Sequence, residues 1–269
     1  ENLARLLEVA KEKERLQSEL EIAREVQSQL YPRAMPEVIG LRLCAVCKPA
    51  RLVSGDYYDY IPLPGGRLAI AIADVAGKGI SAALLTATVQ SMVRTHIHTA
   101  HEGAGASGQA CSRSYFSTAE LVARLNRHLY ANTPPEKFAS FCLGLYDEST
   151  AVLTYTNAGH PPPLLVRRGS VLRFEIHGAV VGAFPSSRYG ESSVRLEPGD
   201  LLVCFTDGVT EPENEYGEMF GEQRLIEVIL RNAMAEPAEI VAAIEQAVRE
   251  WCGAMELQDD LTLMVARKL

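Results

Sequence analysis

The stretch LAIAIADVAGKGISAALL, residues 68–85, decides the fold. An apolar run climbs to Asp74, glycines at 77 and 79 open a loop, and a second apolar run follows with helical spacing. This is a buried strand that ends on a carboxylate and turns into a helix. LLVCFTDGVTE, residues 201–211, does the same at Asp207, and Asp259 and Asp260 open the last apolar run, DDLTLMVAR. A charge at the end of a buried strand is costly unless something neutralises it. The repetition therefore raises a question of function as well as of fold.

Outward from these runs, strand patterns cover 41–47, 57–62, 68–73, 138–146, 151–157, 163–167, 171–176, 192–197, 200–205 and 261–267. PGG at 64–66 and RRGS at 167–170 predict hairpins, so the sheets should be mainly antiparallel. Helical patterns cover 79–97, 118–130, 221–233 and 237–251. The first carries Ile80, Leu84, Leu85, Val89, Met92 and Val93, apolar on nearly every face, and is expected to lie buried between layers. The second opens with a capping box from Ser117 to Glu120. The last has Pro237 in its first turn and Ile240, Val241, Ile244, Val248 and Trp251 facing inward. Two groups of strands with paired helices imply an α+β sandwich. Residues 99–116 are small and polar and predict a mobile loop. His96, His98 and His101 beside it fall on different faces of a helix end, with no carboxylate to join them, so a metal site there is a weak reading.

Residues 1–31 read as one charged helix. Leu6, Val9, Leu16, Leu20, Ala23 and Leu30 form a narrow stripe broken by Lys13 and Gln27. Tyr31-Pro32 and Met35-Pro36 stop it. A helix packed on its own domain is one reading. A signalling linker that pairs with its copy and joins an upstream sensor domain fits the narrow seam better. The division expected is a linker over 1–34 and one domain over 35–269.

Bulk properties narrow the partners. The chain has 269 residues, 47% of them hydrophobic, and a net charge of −8. That acidity argues against nucleic acid or an anionic membrane as the main partner. No apolar run reaches the ~20 residues that span a bilayer, and the absence of a starting Met points to a piece of a longer, cytoplasmic protein. Of the six cysteines, Cys44 and Cys47 form a CAVC. Their odd offset on a strand puts them on opposite faces, which favours free thiols over a redox or zinc pair.

Four carboxylates stand at the ends of apolar strands: Asp56 in VSGDYYDY, Asp74, Asp207 and Asp259. Any one alone reads as a turn or helix cap. Four gathered at one rim of a sandwich would repel and raise each other's pKa values unless cations stood between them. Hard oxygen ligands suit Mg²⁺ or Mn²⁺. The residues alone thus point to a hydrolase or phosphoryl-transfer site with divalent metals.

VSGDYYDY, IADVAGKGISAALL, TNAGHPPPLL, CFTDGVTEPENEYGEMFG and DDLTLMV, in that order, resemble the bacterial PPM-type, protein phosphatase 2C-like enzymes of the sporulation stage II and stress sigma-factor branch. The resemblance covers residues 35–269, and EIAREVQSQLYPRAMP before them looks like the linker to an upstream sensor. It implies a four-layer αββα sandwich with two Mn²⁺ or Mg²⁺ ions at one rim. Asp74 would bridge the two ions and the Val75 carbonyl would complete one shell. Asp207 and Asp259 would hold the other ion, and Asp56 would bind a metal or its water. Asp260 would either replace Asp259 or orient it. Arg51 is the candidate phosphate clamp, with an ordinary solvated arginine as the alternative. The reaction implied is attack of a metal-activated water on a phosphoserine or phosphothreonine of a small regulatory phosphoprotein, of the anti-sigma-factor-antagonist type. Two positions depart from the wider family. Ala76 stands where a general-acid His is common, leaving Lys78 or a water to serve the leaving oxygen. His160 stands where animal-type enzymes have an Asp, and it equally fits a satisfied turn histidine. A catalytically weak signalling module that binds its partner through the same fold is the alternative. DYYDY lacks the D-x-D spacing of aspartyl-nucleophile phosphatases.

Overall fold

The computed structural model describes residues 2–105, 116–134, 136–254 and 257–269. Ten strands form two five-stranded sheets in which every neighbouring pair is antiparallel. One sheet has the order β2 (Asp56–Leu63), β3 (Arg67–Val75), β4 (Ala139–Asp147), β5 (Val152–Ala158), β8 (Ser192–Arg195). The other has the order β1 (Leu41–Lys48), β10 (Leu261–Lys268), β9 (Leu201–Phe205), β6 (Leu164–Arg167), β7 (Ser170–Arg173).

Alternation along each strand builds the layers. On β3, Leu68, Ile70 and Ile72 point into the core between the sheets, where they meet Leu202, Cys204 and Met264. Ala69, Ala71, Ala73 and Val75 point the other way, toward α2 (Ile80–Gly105) and α3 (Thr118–Asn132). On the far side Val203, Phe205, Leu263 and Val265 pack under α5 (Gly221–Arg231) and α6 (Pro237–Cys252). The result is an αββα sandwich with three apolar cores. Cys44 packs on the helix side of its sheet and Cys47 on the inter-sheet side, and both are free thiols. Cys111 lies outside the described residues.

Both expected hairpins form. β2 and β3 are joined over 64–66 with Gly65 and Gly66 at positive φ, and β6 and β7 turn through Arg168 and Gly169, also at positive φ. Three expectations need correction. The helix over 79–97 is not buried between layers. It lies on the outside of its sheet, with Ile80 and Leu84 exposed while Leu85, Val89, Val93 and Ile97 face in. It also runs on to Gly105, so helix replaces loop over 99–105; residues 106–115 lie outside the described residues. The box at α3 is half formed: Ser117 Oγ accepts from the Glu120 N–H at 3.2 Å, but the Glu120 carboxylate pairs with Arg124 instead of reaching back to the Ser117 N–H. A full box stands instead at α6, between Glu236 and Glu239. A half-buried ion pair seats α2, with the partly exposed Arg94 donating to both oxygens of the fully buried Asp59 at 2.7 and 2.8 Å.

The leading helix α1 (Asn2–Ser28) stands mostly clear of the sandwich, with Leu6, Val9 and Leu16 all more than half exposed. Its C-terminal end is attached. Gln27, which interrupts the apolar stripe, is buried against residue 54, and Gln90 of α2 bonds the Leu30 carbonyl. Among the described residues no helix is long and apolar enough to cross a membrane.

Candidate active site

Antiparallel pairing places Asp56, at the start of β2, directly opposite Asp74 near the end of β3. β9 ends at Phe205 and runs through Thr206 into α4 (Asp207–Thr210), a four-residue helix that carries Asp207 in its first turn. β10 starts at Leu261, so Asp259 and Asp260 arrive at the same rim. Gly208 makes this approach possible. A Cβ there would lie 1.9 Å from the Asp260 carbonyl oxygen, so any other residue would push α4 off β10.

The carboxylates feel one another. Burial and then the charge of Asp207, Asp259 and Asp260 push the Asp74 carboxyl up to about 7, with Lys78 pulling the other way. Burial, Glu211 and Asp259 raise Asp207. Asp56 is buried, and burial and Asp74 push it well above the usual carboxylate range. Thr206 Oγ1 donates to its Oδ2 at 2.8 Å.

Asp259 and Asp260, neighbours in sequence, part company. Asp260 spends both oxygens on backbone, accepting from the N–H of Ala50 at 2.7 Å and of Gly55 at 2.6 Å. It braces the loop before Asp56. Asp259 is half exposed and pairs with Lys78 at 2.8 Å. Arg51 is exposed on the braced loop. Ala76 donates its N–H to the Phe138 carbonyl and offers no titratable group. His160 is buried in its turn, and among the described residues its Nε2 has no hydrogen-bond partner. Its N–H and C=O both bond the side chain of Asn157, its Nδ1 meets Ser140 Oγ at 2.8 Å, and burial pushes its pKa down to about 3. Ser140 is the β4 partner of Asp74, so the histidine supports the rim from below.

A second set of groups has no periodicity to betray it. Tyr31 donates to the Asp56 carbonyl at 2.9 Å, Thr86 of α2 to the Gly55 carbonyl at 2.8 Å, and Ser54 Oγ accepts from the Asp56 N–H at 3.0 Å. Gly55 packs bare against this region: a Cβ would meet the Val75 carbonyl oxygen at 3.2 Å and that of Gly77 at 3.4 Å. Loop, linker end and α2 thus converge on the residues just before Asp56.

Among the described residues, no three His, Cys, Asp or Glu side chains close on one point as a finished metal cage would. Asp259 pairs with Lys78. The donor set nonetheless fits a hard divalent cation: all-oxygen ligands from three strand ends, a carbonyl at Val75, and an Asp74 carboxyl that burial and its neighbours keep from ionising easily.

Two antiparallel sheets between helix pairs, with acidic strand ends at one rim, define the class of PP2C-like phosphatase folds. The SiaA-PP2C domain of Pseudomonas aeruginosa shares this fold with a TM-score of 0.80 at 20% identity, over 96% of this chain and 99% of that one. Residues 64–269 match the family described as Stage II sporulation protein E (SpoIIE), and the chain belongs to that family of bacterial PPM-type phosphatases. Among curated proteins it is similar to the phosphoserine phosphatase RsbU of Bacillus subtilis (strain 168), 30% identical over 94% of this chain and 71% of RsbU. It is also similar to Protein IcfG of Synechocystis sp. (strain ATCC 27184 / PCC 6803 / Kazusa), 32% identical over 91% of this chain and 41% of IcfG. The chain therefore spans less than half the length of the latter.

Proposed function

We propose that the chain is a divalent-metal-dependent protein serine/threonine phosphatase acting on a small regulatory phosphoprotein, of the anti-sigma-factor-antagonist type. The observation that carries the reading is that Asp74, Asp207 and Asp259 stand at three strand ends of one rim, near enough for Asp207 and Asp259 to raise the pKa of Asp74, with Asp56 facing Asp74 across the β2–β3 ladder. A merely structural role has no use for a rim that raises the pKa of its own acids. The name of RsbU supports phosphoserine as the substrate class.

Asp74, Asp207, Asp259 and the Val75 carbonyl would hold two Mn²⁺ or Mg²⁺ ions. Such ions supply an acidified water and stabilise charge on the phosphoryl oxygens. The rest of the work falls to the chain. Asp56, held by Thr206, would bind one of the ions or hold its water. Asp260 fixes loop 50–55, and with it the backbone beneath Asp56. Arg51, exposed on that loop, would meet the phosphate of an incoming serine ester. Ala76 has no proton to give, so Lys78 or a water would serve the leaving serine oxygen.

Residues 1–34 serve as the linker and 35–269 as the catalytic domain. The exposed Leu6, Val9 and Leu16 support pairing of α1 with its copy and a sensor domain upstream, in a cytoplasmic signalling protein. Hydrolysis of a phosphoserine peptide and of p-nitrophenyl phosphate tests the central claim, with and without Mn²⁺, on the parent, Asp74→Asn and Asp207→Asn. Activity that needs metal and vanishes in both variants is expected. Metal-independent activity, or activity that survives both changes, would sink it.

A further inference from the structure

Lys78 stands on the loop between β3 and α2, across the rim from β10. Its ammonium lies 2.8 Å from Asp259 Oδ2 and 2.8 Å from the carbonyl of Gln258. Its charge also reaches Asp74 and Asp207, where it opposes the upward push of burial. One tethered cation therefore bears on all three carboxylates that the metal reading uses. Both side chains of the Lys78–Asp259 pair are 43% exposed, so the pair opens and closes without unpacking a core. A carboxylate that receives a divalent ion gathers positive charge to itself. An ammonium within ~4 Å of that ion would be repelled even at surface dielectric.

We infer that Lys78 is a built-in competitor for the metal: its ammonium and a divalent cation are alternative partners of the Asp259 carboxylate. The inference rests on the rim being a metal centre. It gives the metal-free protein a resident counter-ion at a half-exposed acid, and it makes loading of the Asp259 side depend on release of Lys78. Lys137 offers a natural control. It sits beside the same loop, close to Gly77 and 3.1 Å from Ser81 Oγ, and makes no ion pair to Asp259 among the described residues.

The test is calorimetric titration of Mn²⁺ into the parent chain, Lys78→Met, Lys78→Gln and Lys137→Met, with no substrate present. Both Lys78 variants should bind the weaker of the ions about 5-fold more tightly, the worth of one exposed ion pair, and Lys137→Met should match the parent. Equal affinity in the Lys78 variants and the parent overturns the competition while leaving the metal centre intact. Weaker binding also overturns it, since Lys78 would then be holding Asp259 in place for the ion. An equal gain in Lys137→Met reduces the effect to net charge and overturns it too. No binding by any of the four chains would remove the metal centre and the competitor together.

Discussion

The side chain of Gln27 grips the backbone of Ser54 from both sides, donating to its carbonyl at 2.6 Å and accepting from its N–H at 2.9 Å. Gln27 belongs to the last turn of α1, and Ser54 lies two residues before Asp56. The linker helix thus ends on the loop that carries the acidic rim. Gln27→Ala would leave two buried backbone groups without partners, at a cost of about 1–3 kcal/mol. We expect a lower unfolding midpoint and faster amide exchange over residues 53–56, read by hydrogen–deuterium exchange. Unchanged exchange there would show that the Gln27 amide does not hold the loop.

pH dependence follows from Asp74. Its folded carboxyl sits at about 7, far above its ordinary value, because of burial and then Asp207, Asp259 and Asp260. A raised carboxyl means that the folded state holds a proton the unfolded chain has released. Its contribution is fully present below about pH 4 and is lost as pH rises through about 7. Asp207 and Asp56 shift in the same direction. Metal-free protein should therefore lose stability from pH 5 to 8 in urea titrations with chelator, and Asp74→Asn should flatten that slope. A slope that steepens in Asp74→Asn would contradict the assignment.

Much of this architecture was legible before any coordinates. The ten strands follow from apolar runs cut by glycine, proline and asparagine, and the acidic ends at 56, 74, 207 and 259 stand out because charge interrupts an otherwise buried run. What escaped was of a different kind. Ile80 and Leu84 look like core by composition, but facing direction is set by the sheet beneath the helix. Gln27 reads as a flaw in an apolar stripe, when its amide is a clamp. Asp259 and Asp260 are indistinguishable in sequence; only the loop folding back from 50–55 turns one inward. α4 spans a single turn and has no period to detect. Thr206, Tyr31 and Thr86 act through single hydrogen bonds to groups far along the chain, and spacing says nothing about those.

That difference between the two adjacent acids is testable. Asp260→Asn replaces an acceptor by a donor facing the N–H of Ala50 or Gly55, so a buried clash of donors results. Metal-free protein should lose about 2 kcal/mol or more of stability. Asp259→Asn removes a charge from a half-exposed, mutually repelling group and should leave metal-free stability within about 0.5 kcal/mol of the parent, while Mn²⁺ affinity falls. Denaturant midpoints with chelator, beside Mn²⁺ titrations, separate the two. A large stability loss in Asp259→Asn alone would reverse the roles.

Gly208 follows Asp207 because the backbone of β10 lies against it, not because the turn needs an unusual φ. The position is absent from the positive-φ glycines, and the clash a Cβ would meet is the Asp260 carbonyl at 1.9 Å. A backbone oxygen cannot swing aside as a lysine tip does, so Gly208→Ala must move α4 or the start of β10. Overpacking of this kind costs about 1–3 kcal/mol or more. The displacement also carries Asp207 away from Asp74. Gly208→Ala should therefore lower the denaturation midpoint and weaken Mn²⁺ binding together. Gly217→Ala is the comparison: its φ of 76° carries strain, but a Cβ there meets nothing within 4 Å. It should lower stability without touching metal affinity. If Gly208→Ala behaved like Gly217→Ala, with metal binding intact, the close packing of α4 on β10 would not be what sets Asp207 in place.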